Sequence, residues 1–113
     1  MSNDSLKDIS SLQNTVYRYL KKRNVRGGGC KTPLFVLYYH YVTYCRTNYC
    51  KFVSPIEFAR RMTVYFEKGK SGRYSYYLTN LEPPESKRRR RIRLWYDKIW
   101  ARMRNDKKEE KWL

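Results

Sequence analysis

The sequence predicts an α+β domain in which three helices precede a basic β-hairpin and a further basic helix closes the chain. Two observations carry this. Apolar residues recur at helical spacing in four separate stretches, and a basic, glycine-bearing segment from Lys68 to Arg73 runs into a tyrosine-rich strand, Tyr74–Thr79. Gly27-Gly28-Gly29 and Pro83-Pro84 punctuate the chain. They divide it into a tail (1–4), a main domain (5–80), a proline-rich linker (81–85) and a basic amphipathic helix (86–113).

The first helix is expected over residues 5–24. Asp4 or Ser5 can cap it, Leu6, Ile9, Leu12 or Gln13, Val16 and Leu20 form its stripe, and Lys21, Lys22 and Arg23 suit its C-terminal end. The glycine triplet stops it. Thr32 as cap and Pro33 in the first turn open a second helix to Asn48. Leu34, Leu37, Tyr38, Tyr41, Tyr44 and Cys45 define its inward face. Its length without a turn signal favours helix over strand, despite its Tyr and Val content.

Phe52 and Val53 form a short extended link. Ser54-Pro55-Ile56-Glu57 is a helix-start signature, with Ser as cap, Pro at the first position and Glu at the third. Ile56, Phe58 or Ala59, Met62 and Phe66 are expected inward, and Arg60, Arg61 and Thr63 outward. Thr63–Glu67 is read as fraying towards a strand, Lys68–Arg73 as the turn, and Tyr74–Thr79 as the returning strand. Tyr77 and the tyrosines of the second helix are assigned to the core. Beyond the prolines, Ser86 can cap a fourth helix reaching Lys111, with Ile92, Trp95 or Tyr96, Ile99 and Met103 as its stripe. That stripe must be buried on the domain, on a second copy or on a partner protein.

The chain has 113 residues and a formal net charge of +16. Residues 86–113 hold 12 basic and 4 acidic side chains, and residues 1–85 hold 14 and 6. The last quarter therefore carries half the net charge, and both parts suit a polyanion. No apolar run is long enough for a membrane span. The polar N-terminus MSNDSLKDIS lacks the apolar core of a signal peptide, so an intracellular location is expected. Three cysteines, Cys30, Cys45 and Cys50, make a poor disulfide framework. With His40 they match no standard zinc spacing, and incidental or buried thiols are the preferred reading. No phosphate-binding loop, paired carboxylates or nucleophile with a base suggests catalysis, and no cofactor is implied. His40 is read as a helix residue with a satisfied ring nitrogen.

A helix followed by a basic hairpin is how winged helix-turn-helix domains meet a nucleic-acid duplex. Pro33-Leu34-Phe35-Val36-Leu37-Tyr38-Tyr39-His40-Tyr41-Val42-Thr43-Tyr44-Cys45 resembles the second helix of the regulatory factor X DNA-binding domain. Pro33, Leu37, Tyr38, His40, Tyr41 and Cys45 keep that family's order and spacing. Phe58-Ala59-Arg60 and Phe66 look like its third helix, and Ser71–Tyr77 like the end of its wing. The resemblance spans about residues 10–80. It implies a winged helix of three helices plus a hairpin wing that binds double-stranded DNA, with the wing in the major groove and the third helix over the minor groove. The wing is shorter here and lacks the family's Arg-Arg-Leu-Gly and Arg-Gly run. Related winged helices also close viral and mobile-element primase–helicases.

The expected DNA contacts are Arg60 and Arg61 on the third helix, and Lys68, Lys70, Arg73 and Tyr74 on the hairpin. The run Lys87, Arg88, Arg89, Arg90 and Arg91 adds backbone contact or a nuclear address. The competing reading of each is a solvated basic surface, with one arginine of the third helix paired to Glu57. The favoured role is a nuclear transcription regulator bound to double-stranded DNA. The alternatives are a non-catalytic DNA-binding or protein-interaction module in viral or mobile-element replication, and an RNA-binding protein. The last helix could also serve a homodimer or a protein partner.

Overall fold

A computed structural model describes residues 14–112, with side chains described as far as Arg104. The expected cap at Asp4 or Ser5 and the helical stretch 5–13 lie outside these residues. Four helices and three strands follow in the order α1 (Thr15–Lys22), β1 (Gly27–Pro33), α2 (Leu34–Thr47), α3 (Pro55–Tyr65), β2 (Lys68–Ser71), β3 (Tyr74–Thr79) and α4 (Ser86–Trp112). The architecture is α+β, with one antiparallel sheet of strand order β1-β3-β2.

α1 starts inside the span expected for one helix. The Asn14 side chain accepts a hydrogen bond from the Tyr17 amide at 3.1 Å and caps the new start. Of the helix expected over 5–24, the described part runs from Thr15 to Lys22. Val16, Tyr19 and Leu20 face the core.

β1 corrects the sequence reading more than any other element. The glycine triplet does not merely end a helix but begins a strand that pairs with β3. Gly27 and Cys30 both register against Thr79, so the triplet accommodates an irregularity in the ladder. A side chain at Gly28 would have its Cβ 2.6 Å from the Thr79 carbonyl oxygen, which only glycine avoids. Thr32 is likewise not a helix cap. Its buried hydroxyl donates to the Leu81 carbonyl at 2.6 Å and accepts from the Thr79 hydroxyl at 2.7 Å, while the Leu81 amide donates to Thr79. Pro33 stands at the cap position of α2 in extended conformation.

α2 is the central pillar. All six residues expected on its inward face are buried, and so are Phe35, Val36 and Val42. A helix packed on nearly every side explains why its pattern lacks clear amphipathicity. Tyr38, Tyr41 and Tyr44 are buried, the hydroxyls of Tyr38 and Tyr41 are hydrogen-bonded, and no buried side-chain polar atom among the described residues lacks a partner. Burial pushes the Tyr41 phenol up to about 12 and raises those of Tyr19 and Tyr38 as well.

α4 begins at Ser86, with the Arg89 amide bonded to the Glu85 carbonyl at 2.8 Å. Glu85, not Ser86, therefore occupies the cap position. Ile92 and Tyr96 belong to the same buried cluster as α2, and Trp95, Ile99 and Trp100 pack against it. The Trp95 ring lies 5.3 Å from Tyr39 and 5.8 Å from Tyr38. Apart from Met103, the apolar stripe is thus packed on this chain itself.

Candidate nucleic-acid interface

The position of α3 is set from α2. The Tyr38 hydroxyl donates to the Val53 carbonyl at 2.8 Å, and the Val53 amide donates to the Tyr41 hydroxyl at 2.9 Å. Tyr41 also shares a 2.6 Å hydrogen bond with Thr15 of α1. The extended link before α3 is therefore clamped by two core tyrosines. Ser54 then caps the helix by accepting from the Glu57 amide, and Pro55 takes the first helical position, as the sequence predicts. Phe58 and Met62 are fully buried. Ile56 is 39% exposed, against expectation, and Phe66 is a half-buried extended cap. The helix holds to Tyr65 instead of fraying at Thr63.

Glu57 pairs with both arginines of α3, at 3.1 Å to Arg60 and 3.1 Å to Arg61. The Arg60 side chain is 73% exposed and that of Arg61 31%. Ion pairs this open contribute at most about 1 kcal/mol, so Arg60 can exchange Glu57 for a phosphate at little cost.

The hairpin is more ordered than the sequence suggests. Lys68–Ser71 is strand, and the turn narrows to Gly72-Arg73, because Ser71 pairs directly with Tyr74. Gly72 has φ +63°, the conformation that the first residue of a tight two-residue hairpin turn requires. The Tyr77 hydroxyl donates to the Ala59 carbonyl of α3 at 2.8 Å and lies 3.1 Å from the Thr63 hydroxyl. This ties the hairpin to α3 at one buried point.

Between them runs a groove of about 720 Å³. Arg60 and Thr63 of α3, Lys68, Arg73 and Tyr74 of the hairpin, and Trp100 and Arg104 of α4 line it. Lys70 lies on the same face of β2 as Lys68, nearer the tip and outside the lining. Arg61, one residue around the helix from Arg60, also falls outside. Tyr74 is a strut more than a free contact. Its hydroxyl donates to the Asp97 carboxylate at 3.2 Å, its ring packs edge-on against Phe35 at 5.2 Å, and the Arg73 and Arg93 guanidiniums lie 5.5 and 5.9 Å from its centroid. Among the described residues, Asp97 is the one carboxylate lining the groove.

The run Lys87–Arg91 does not form one patch. Arg88 points to a cleft of about 350 Å³ shared with Arg23 and His40. Arg89 and Arg90 border a different cavity together with Lys31 and Arg93. Lys87 and Arg91 are exposed on the helix and line neither. His40 is half-buried. Burial, with help from Arg88 and Arg23, lowers its pKa below the usual imidazole value. Sequence reasoning missed Lys31, Arg93, Asp97 and Arg104. Arg93 sits four residues after Arg89, and Arg104 four after Trp100, so helical spacing was the available signal for two of them.

Among the described residues, Cys30, Cys45 and Cys50 are free thiols, and no group of three or more His, Cys, Asp or Glu is placed to hold a metal ion. No described helix is long and apolar enough to cross a membrane. The chain matches no protein-family model, no curated protein and no solved structure.

Proposed function

We propose that the protein binds double-stranded DNA as a winged helix-turn-helix domain, gripping it with α3 and the β2–β3 hairpin. The observation that carries this reading is the convergence of Arg60, Lys68 and Arg73, from two elements locked together by Tyr77, on one open groove whose single carboxylate is already engaged by Tyr74. The element order helix, strand, helix, helix, hairpin, with the middle of the sheet taken by the last strand, fits a winged helix. So does the resemblance of Pro33–Cys45 and Ser71–Tyr77 to the regulatory factor X domain.

In this reading Arg60 and Lys68 hold backbone phosphates, and Arg73, at the tip, enters a groove of the duplex. The short wing favours backbone over base contacts. Lys87, Arg88, Arg90 and Arg91 are exposed and available as a nuclear address, in keeping with a role in transcription regulation.

The test is a mobility-shift titration of the full chain against duplex DNA, single-stranded DNA and RNA over a range of salt. Duplex is expected to bind best, with affinity falling steeply as salt rises, because each neutralised phosphate releases counterions. Lys68→Ala with Arg73→Ala should weaken duplex binding at low salt. Equal binding of all three nucleic acids by the wild type and this variant would sink the proposal. Removing residues 86–113 is unsuitable as a control, since it would uncover core residues packed against Ile92 and Tyr96.

A further inference from the structure

On the outer face of the sheet, behind Tyr74, lies a second cavity of about 510 Å³. It shares Phe35, Tyr74 and Ser75 with the first groove, but its charges are different ones: Lys31 of β1 and Arg89, Arg90 and Arg93 of α4. Ser71, Ser75 and Ser86 add hydroxyls. Among the described residues, no carboxylate lines it and none of its four cations is in an ion pair.

The geometry points to a binding site for a phosphate group. Four like charges from two separate elements meet around one concavity, an arrangement that repels itself unless an anion fills it. Two of the cations are held in place by aromatic faces: Lys31 lies 5.4 Å from the Tyr76 centroid and Arg93 5.9 Å from that of Tyr74. Arg89 touches the Pro84 carbonyl at 3.5 Å.

The N-terminus of α4 fits such a ligand. Beyond the cap residue Glu85, its first turn carries no acid and holds Arg89, which lines the cavity, against the preference of a helix N-terminus for negative charge. A bound anion would relieve that conflict. Gly69, paired with Tyr76 across the hairpin, leaves room for the ring that supports Lys31. A carboxylate offers two oxygens and one charge. A phosphate offers more acceptor oxygens, spread tetrahedrally, and suits guanidinium forks that approach from different sides.

The phosphate can belong to the backbone of a nucleic acid gripped by the hairpin or to a small polyphosphate, and the experiment separates the two. Sodium pyrophosphate is titrated into the full chain at constant ionic strength, set with sodium chloride, and the melting temperature is followed. A saturable rise is expected for the wild type and for Arg60→Gln with Lys68→Gln, which alters only the first groove. At least a tenfold weakening of that midpoint is expected for Arg89→Gln with Arg93→Gln. The same direction is expected for Lys31→Gln with Arg90→Gln, whose exposed positions leave the core untouched. A response no larger than that to chloride, or equal loss in the first-groove variant, would overturn the site. This arm contains no DNA, so its outcome is independent of the duplex-binding reading. Duplex affinity is then measured with saturating pyrophosphate. A several-fold loss in the wild type but not in Arg89→Gln with Arg93→Gln supports a backbone phosphate as the source. Indifference of duplex binding supports a small phosphate ligand in the same cavity.

Discussion

The α3–hairpin groove and the Lys87–Arg91 run are both rich in cations, and they are built in opposite ways. In the groove, few charges are involved, and each sits on an element whose position is fixed by a hydrogen bond into the core: Val53 by Tyr38 and Tyr41, and α3 to β3 by Tyr77. In the run, five consecutive charges are distributed around one helix. Two go to the cavity behind Tyr74, one to the cleft beside His40, and two to open solvent. Charge density along a sequence is therefore a poor guide to a patch on a surface. What gathers charges is the spacing of the element that carries them, together with the anchoring of that element.

The strongest way to break this comparison is to remove the anchor of α4. Tyr96→Ala should destabilise the whole domain by about 3–5 kcal/mol, as truncation of a buried aromatic does. Urea unfolding followed by far-ultraviolet circular dichroism measures it. If α4 were only an appended tail, the midpoint would barely move. Tyr77→Phe is gentler. It keeps the buried ring but removes the bond to Ala59, and should cost about 1 kcal/mol. On the proposed function it should also lower duplex affinity, because α3 and the hairpin lose their common fastening. Unchanged affinity with reduced stability would separate the fold of the groove from its use.

The charges themselves give a sharper contrast. Arg60→Ala or Lys68→Ala should each reduce the slope of log affinity against log salt by about 1, the amount expected for one lost phosphate contact. Lys87→Ala or Arg91→Ala should reduce it by less, since neither lines a groove or cavity. Equal slopes for all four variants would return the two regions to one undifferentiated basic surface.

Much of the groove was legible in the sequence where local chemistry dictates structure. Ser54, Pro55 and Glu57 announce the start of α3, because a cap is decided by a few adjacent residues, and the glycine-bearing segment Lys68–Arg73 announces the hairpin but not how tight its turn is. β1 was not legible. Three glycines have no strand propensity, and their pairing with β3 depends on a close backbone approach to Thr79 that lies far away in sequence. The role of Thr32 was hidden for the same reason, since its partners are Thr79 and Leu81. Ile56 was misplaced because its helical position predicts burial, whereas the first turn of α3 borders the open groove. The second cavity required knowing that α4 packs on α2 and meets the sheet at Tyr74, which no period within α4 reveals.

His40 supplies the smallest and most selective test. It lines a cleft with Tyr19, Arg23, Tyr39 and Arg88, and its ring centroid lies 5.9 Å from that of Tyr39. Burial and the two arginines hold its folded pKa below the unfolded value of 6.5. Below pH 6.5 the unfolded chain therefore takes up a proton more readily than the folded one, and stability falls as pH falls. Above pH 6.5 the ring is neutral in both states and contributes no slope. The melting temperature should thus decline from about pH 7 to pH 5.5, and His40→Gln should flatten that decline while leaving the neutral-pH value nearly unchanged. Arg88→Gln should recover part of the lost stability at pH 5.5, because it removes one of the two positive charges that oppose protonation. A variant curve parallel to that of the wild type would assign the pH dependence elsewhere. It would also remove the one assignment that gives Arg88 a different task from its neighbours in the run.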